Sequence, residues 1–187
     1  LRVEAPRAVV TYARGSSDHA ATFAKYVIET RAGVLTSSGA PSIASVYRDA
    51  PDARDTLALA ISQSGRSPDI LAAVAAAKSA GAFAVALVNA EDSPLAASCD
   101  ATMPLHAGLE RSVAATKSYI ASLAAVLHLV AEWTNDSVLA DALQSAPVLL
   151  RDAFGCDWKP LVHRLKHAPG LYVIGRGAGL GVAQEAG

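Results

Sequence analysis

Three short stretches gather side chains able to hold an anion or move a proton. Ser62-Gln63-Ser64-Gly65-Arg66-Ser67-Pro68-Asp69 sets three serines and a glutamine in one turn. Ser67 suits a helix N-cap, Pro68 the first helical position and Asp69 the first turn. Hydroxyls and free N–H groups at a helix N-terminus form an anion site. Each charge-assisted bond contributes about 1.5–3 kcal/mol, so several hold a phosphate without a lysine. The blander reading is a polar turn with a good cap. The spacing is not that of a Walker P-loop, which needs GxxxxGK[ST].

Arg14-Gly15-Ser16-Ser17-Asp18 is the second stretch. Gly15 permits a tight turn with close ligand approach. Ser16 and Ser17 offer hydroxyls to a phosphate or sugar oxygen, or Ser17 or Asp18 simply caps a helix. The third stretch, Ala107–Lys117, carries Glu110 and Lys117. Glu110 could act as acid or base or hold a sugar hydroxyl. Equally, it could sit in a first helical turn for the dipole, with Lys117 on the surface. His19, His106, His128, His163 and His167 share no metal-ligand spacing, and no metal is expected. Gly175-Arg176-Gly177-Ala178-Gly179 resembles a dinucleotide loop only superficially, because a glycine-rich turn alone is weak evidence.

These stretches need elements to position them. Strands are expected at Ala8–Ala13, Val34–Thr36, Thr56–Ser62, Ala82–Val88 and Ala101–Leu105. Helices are expected at Asp18–Arg31, Pro41–Tyr47, Pro68–Ala80, Pro94–Ala97 and Glu110–Trp133. Apolar strands alternating with Ala-rich helices signal an α/β fold with a parallel sheet covered on both faces. Each candidate stretch then follows a strand, where ligands bind in open α/β sheets. Helices at Asp136–Phe154 and Trp158–Lys166 follow. At Leu171–Ile174 an apolar strand is expected again, leading into Gly175-Arg176-Gly177 much as Val10–Ala13 leads into Arg14-Gly15. The expected division is a first domain over 1–134, a helical connector over 135–168, and the start of a second copy over 169–187. The chain reads as a fragment, or as one with missing segments.

The 187 residues suffice for one ordinary domain, and 52% of them are apolar, enough for a sizeable core. A net charge of −1 gives no basic surface for nucleic acid. Cys99 and Cys156 form neither a metal cluster nor a disulfide framework, so a reduced, cytoplasmic setting is the default. No signal peptide is visible, and Ile120–Ala131 is too short to span a bilayer, so no membrane partner is expected.

Taken together, the three stretches resemble the sugar isomerase (SIS) domains of glucosamine-6-phosphate synthase and its relatives. The resemblance rests on Gly15-Ser16-Ser17, Ile61-Ser62-Gln63-Ser64-Gly65, and Ala107-Gly108-x-Glu110-x-x-Val113-Ala114-x-Thr116-Lys117, in that order. It implies a three-layer α/β/α sandwich with a five-stranded, mostly parallel, flavodoxin-like sheet. It implies that Ser62, Gln63, Ser64, Ser67 and Ser16 hold the phosphate, with Ser17 beside it. The Val113 backbone would contact the sugar, near Gly15 and Glu110. Ser67 stands where the family often has Thr, Arg66 where Glu is frequent, and Ala115 where Ser is frequent. The implied partner is a phosphorylated amino sugar or ketohexose phosphate, with no cofactor, in a homodimer. The family interconverts ketose and aldose phosphates through an enediol-like intermediate. Its lysine and glutamate would fall beyond Gly187, and Glu185 matches an acidic position just before them. Free-standing double-domain relatives resembling deaminases or aminotransferase-like isomerases look closest. A sugar-phosphate-sensing module without catalysis, or a binder of another anion such as a nucleotide, are the alternatives.

Overall fold

Alternation of large and small apolar side chains in two central strands organises the molecule. Strand β3, Thr56–Ser62, reads Thr-Leu-Ala-Leu-Ala-Ile-Ser, and β4, Phe83–Val88, reads Phe-Ala-Val-Ala-Leu-Val. Successive side chains point to opposite faces, and the parallel register sets Ala58 beside Ala84, Leu59 beside Val85, and Ala60 beside Ala86. One face of the sheet is therefore bulky and the other is lined by alanine. In the computed structural model, which describes residues 1, 5–49, 51–111 and 115–187, each face has its own core. Helices α1 (Ser16–Arg31) and α5 (Thr116–Thr134) cover Leu57, Leu59, Ile61, Val85 and Leu87. Helices α3 (Pro68–Ser79) and α4 (Pro94–Ser98) bring Ile70, Val74, Ala77 and Leu95 onto the alanine face. Small residues there let the alanine-rich α3 approach closely. Complete burial of each large side chain contributes about 1.5–3 kcal/mol.

The remaining strands are β1 (Ala8–Tyr12), β2 (Leu35–Ser38) and β5 (Ala101–Pro104), with the short helix α2 at Pro41–Ser45. All pairings are parallel, in the order β2-β1-β3-β4-β5. The chain runs from β1 outward to β2, then returns across β1 to β3. The loops leaving β1 and β3 thus diverge at their carboxyl ends, opening the crevice typical of such a switch point. The three-layer α/β/α sandwich expected from the sequence is present, and its sheet is wholly parallel.

Most element limits fall within two residues of those expected, with two exceptions. Helix α5 begins at Thr116, because Ala115 has ψ 58 and is not helical. Glu110 is therefore outside the helix. Leu171–Ile174 forms no strand. Among the described residues no strand lies beside it to take its N–H and C=O groups, and Tyr172 and Ile174 are 93% and 89% exposed. An apolar run without a neighbour has no ladder to join.

Helix α6 (Ser137–Phe154) follows α5 and is capped by the Asp136 carboxylate, which accepts the Leu139 N–H. Helix α7 (Lys159–Lys166) buries no residue. Helix α8 (Gly179–Ala186) returns to pack on α1. Gly181 makes this possible, since a Cβ there would lie 2.4 Å from the His19 carbonyl oxygen. No helix among the described residues is long and apolar enough to cross a membrane.

Candidate functional site

The loops after β1 and β3 meet around a crevice of about 210 Å³ at the carboxyl edge of the sheet. Ser16, Ser17, Ser62, Gln63, Ser64 and Ser67 all line it, together with Arg14, Ile61, Ile70 and Ala115. Six of the residues singled out in the sequence for ligand binding are thus brought together from two loops that are far apart in the chain. Gly15 lies on a neighbouring, wider cleft of about 730 Å³ that shares Arg14. Glu110 and Glu185 are absent from the described lining of the crevice. Val113 lies outside the described residues.

Local sequence explains the loop shapes. Ser62 ends β3, and its Oγ accepts the Gly65 N–H at 3.0 Å, closing the turn. Gly65 takes φ +61 and is packed so tightly that a Cβ would meet Ser93 Oγ at 2.2 Å and Ser93 Cβ at 2.6 Å. Only glycine meets both demands. The Gly65 carbonyl in turn accepts the Leu95 N–H. Gly15 performs the corresponding task after β1, with φ 56 and ψ −133 at the N-cap of α1.

Two helix N-termini, those of α1 and α3, open onto the crevice. First-turn N–H groups carry the positive end of the helix dipole, and in α1 those of Ser17 and Asp18 already bond the Arg14 and Gly15 carbonyls at 3.2 and 2.8 Å. Ser67 occupies the N-cap position of α3, as expected, but its side chain makes no cap hydrogen bond. Ser93 and Asp136, by contrast, do cap their own helices. Ser67 Oγ is thereby left available to a ligand, and neither Ser17 nor Asp18 serves as the cap of α1. Hydroxyls, a carboxamide and helix ends suit a phosphate or another compact oxyanion. Among the described residues no group of His, Cys, Asp and Glu could hold a metal ion.

The loop after β5 is held by residues the sequence had not singled out. Asn89, at the end of β4, accepts the Ala107 N–H and donates to the Gly108 carbonyl, each at 2.8 Å. The adjoining Ala90 N–H reaches the Gln63 carbonyl at 3.2 Å. This one strand end therefore braces two of the three candidate loops. Asparagine after an apolar strand is an ordinary loop signal, and no local pattern marks the double role.

Glu110 and Glu185 have structural engagements. Glu110 Oε1 accepts the Ser118 N–H at 2.6 Å, capping α5 from outside the helix, and Lys117 Nζ is 3.8 Å from Oε2. The Ser118 N–H holds the Glu110 carboxyl below its ordinary value, against the opposing effect of burial, and Lys117 adds to the lowering. The alternative that put Glu110 in a first helical turn does not hold, because Glu110 precedes α5, but its carboxylate still serves that helix end by accepting the Ser118 N–H. Glu185 Oε2 lies 2.8 Å from His19 Nδ1, joining α8 to α1. Tyr119 adds to the same seam by donating to the Gly181 carbonyl at 3.1 Å.

The family model of the SIS domain matches residues 4–132. The isomerizing glutamine–fructose-6-phosphate aminotransferase of Thermus thermophilus is 40% identical over 140 residues, covering 74% of this chain and 22% of that enzyme. The corresponding enzyme of Pyrobaculum aerophilum is 33% identical over 198 residues, covering 97% of this chain and 31% of its own. The chain thus spans less than a third of either curated relative. A crystal structure from Silicibacter pomeroyi, described as a phosphosugar isomerase, superposes with a TM-score of 0.96 at 44% identity, over 100% of this chain and 57% of that one.

Proposed function

The chain belongs to the SIS domain family, and from that premise we propose that it supplies the phosphate-holding half-site of an isomerase or deaminase acting on an amino-sugar or ketohexose 6-phosphate. One observation carries the reading. Ser16, Ser17, Ser62, Gln63, Ser64 and Ser67 converge in one crevice at the switch point of the sheet. Two helix N-termini open there with no side-chain cap. The relatives named for fructose 6-phosphate chemistry and the similar protein described as a phosphosugar isomerase support this substrate class.

The crevice fixes one end of the sugar. The phosphate oxygens accept bonds from serine hydroxyls, the Gln63 carboxamide and first-turn N–H groups. Interconversion of an aldose and a ketose then requires a base to take a proton beside the carbonyl and an acid to protonate the enediol-like intermediate. Among the described residues lining the crevice there is no carboxylate, histidine or lysine. Proton transfer therefore falls to groups outside it, and the half-site contributes orientation, which converts binding into reactivity by holding reacting atoms in place.

Calorimetry tests the reading. Glucosamine 6-phosphate should bind this chain, while unphosphorylated glucosamine and a nucleoside monophosphate should bind far more weakly. Equal affinity for the nucleotide, or no dependence on the phosphate, would overturn it. A sensing module would also bind the phosphosugar, and turnover of glucosamine 6-phosphate by a longer protein containing this chain separates the enzyme from the sensor.

A further inference from the structure

Arg14 stands at the mouth of the site. It lines the crevice with Ser16, Ser62, Gln63, Ser64 and Ser67, and it also lines the wider cleft next to it. Among the described residues of the crevice wall it is the charged one. Its Nη1 donates to Oδ2 of Asp69, which lines the wider cleft but not the crevice. The two partners are unequally rooted: the Arg14 side chain is 67% exposed and that of Asp69 only 24%. Asp69 is fixed in the first turn of α3, where the helix dipole favours a carboxylate. Exposed ion pairs contribute little to stability, so holding the fold together is a weak account of this contact.

We infer that Arg14 is the anion-selecting residue of the crevice, parked on Asp69 and transferred to the phosphate when a phosphate monoester enters. This rests on the phosphosugar reading and deepens it. A phosphate monoester carries close to two negative charges and three acceptor oxygens near neutral pH, against one charge on the carboxylate. The planar guanidinium fork matches either partner, so the exchange keeps its hydrogen bonds while following the larger charge. Asp69 then acts as a positioning residue. It neutralises Arg14 before binding, holds it beside the crevice, and sets the affinity below what a free arginine would give. A neutral sugar offers no charge to draw Arg14 away, so the pair also separates phosphorylated from unphosphorylated ligands.

The test is a double-mutant cycle read by calorimetry with glucosamine 6-phosphate, on the unsubstituted chain, Arg14→Gln, Asp69→Asn and the combination. Arg14→Gln should weaken binding about tenfold, the loss of one charge-assisted contact in a partly exposed site. Asp69→Asn should tighten it about threefold to tenfold by releasing the guanidinium. In the Arg14→Gln background, Asp69→Asn should give no gain. An equal gain in both backgrounds would show that Asp69 acts only through its general negative field, and would overturn the inference. So would unchanged affinity in Arg14→Gln. If the unsubstituted chain binds the phosphosugar and Ser64→Ala weakens it while Arg14→Gln does not, this inference fails and the phosphosugar reading stands. If the unsubstituted chain binds no phosphosugar, both fail.

Discussion

Replacing Gly65 by alanine strains the loop after β3 in two separable ways. The first is the backbone: at φ +61 an L-residue with a Cβ costs about 1–2 kcal/mol. The second is space. The new Cβ would lie 2.2 Å from Ser93 Oγ, 2.6 Å from Ser93 Cβ and 3.0 Å from Val88 Cγ2. Ser93 is 1% exposed, and its hydroxyl accepts the Ala96 N–H at the head of α4, so it has little freedom to move aside. Overpacking of this kind costs about 1–3 kcal/mol. The two contributions together come to about 2–5 kcal/mol. For a domain of this size each kcal/mol lowers Tm by about 2–4 °C, so Gly65→Ala should melt roughly 5–15 °C below the parent. Circular dichroism melts measure this directly. In a Ser93→Gly background both Ser93 contacts vanish, and Gly65→Ala should then cost clearly less, keeping the backbone part and the milder Val88 contact. An equal loss in the two backgrounds would refute the reasoning, because it would show that contact with Ser93 contributes nothing.

Three further substitutions probe the loops and their supports. Ser64→Ala should weaken glucosamine 6-phosphate binding severalfold in calorimetry with Tm nearly unchanged, since the residue is half-buried on the crevice wall and its hydroxyl only accepts a long bond from the Arg66 N–H. Asn89→Ala removes two hydrogen bonds to the Ala107–Gly108 turn and should cost about 1–3 kcal/mol in urea unfolding. Glu110→Gln tests the external cap of α5 through pH. The Glu110 carboxyl is lowered from an ordinary value of 4.5 in the folded protein. Its stabilisation is therefore fully present above that value and is lost as the pH falls below it, toward and through the folded pKa. The Tm gap between parent and variant should be constant from pH 7 to about 5 and close on further acidification; a gap that widens in acid would contradict the assignment.

Much of this architecture can be read from the residues themselves. In β3 every side chain from Leu57 to Ile61 is apolar, and the run is closed by a serine-rich loop, so its limits need no tertiary information. The Ser67-Pro68-Asp69 start of α3 is equally local. The crevice was legible for the same reason: each of its loops lies at a strand's carboxyl end, and the parallel topology then forces them together. Other features depend on contacts that no local pattern encodes. Arg14 and Asp69 are 55 residues apart, and His19 and Glu185 are 166 apart. Leu-Glu-Arg in the stretch before α5 consists of good helix formers, yet α5 begins at Thr116, and Glu110 reaches forward to the Ser118 N–H. Leu171–Ile174 has the composition of a strand, and among the described residues no strand lies beside it. Composition gives a segment's preference, and partners decide whether the preference is met.

Amide chemical-shift mapping during titration with glucosamine 6-phosphate locates the phosphosugar on the protein. Saturable shifts should concentrate at Gly15–Asp18 and Gln63–Ile70, with the corresponding shifts much reduced in Ser64→Ala. Shifts centred instead on the apolar cleft between α2 and α3 around Val10, Tyr12 and Ile43, with the two loops unmoved, would contradict this placement.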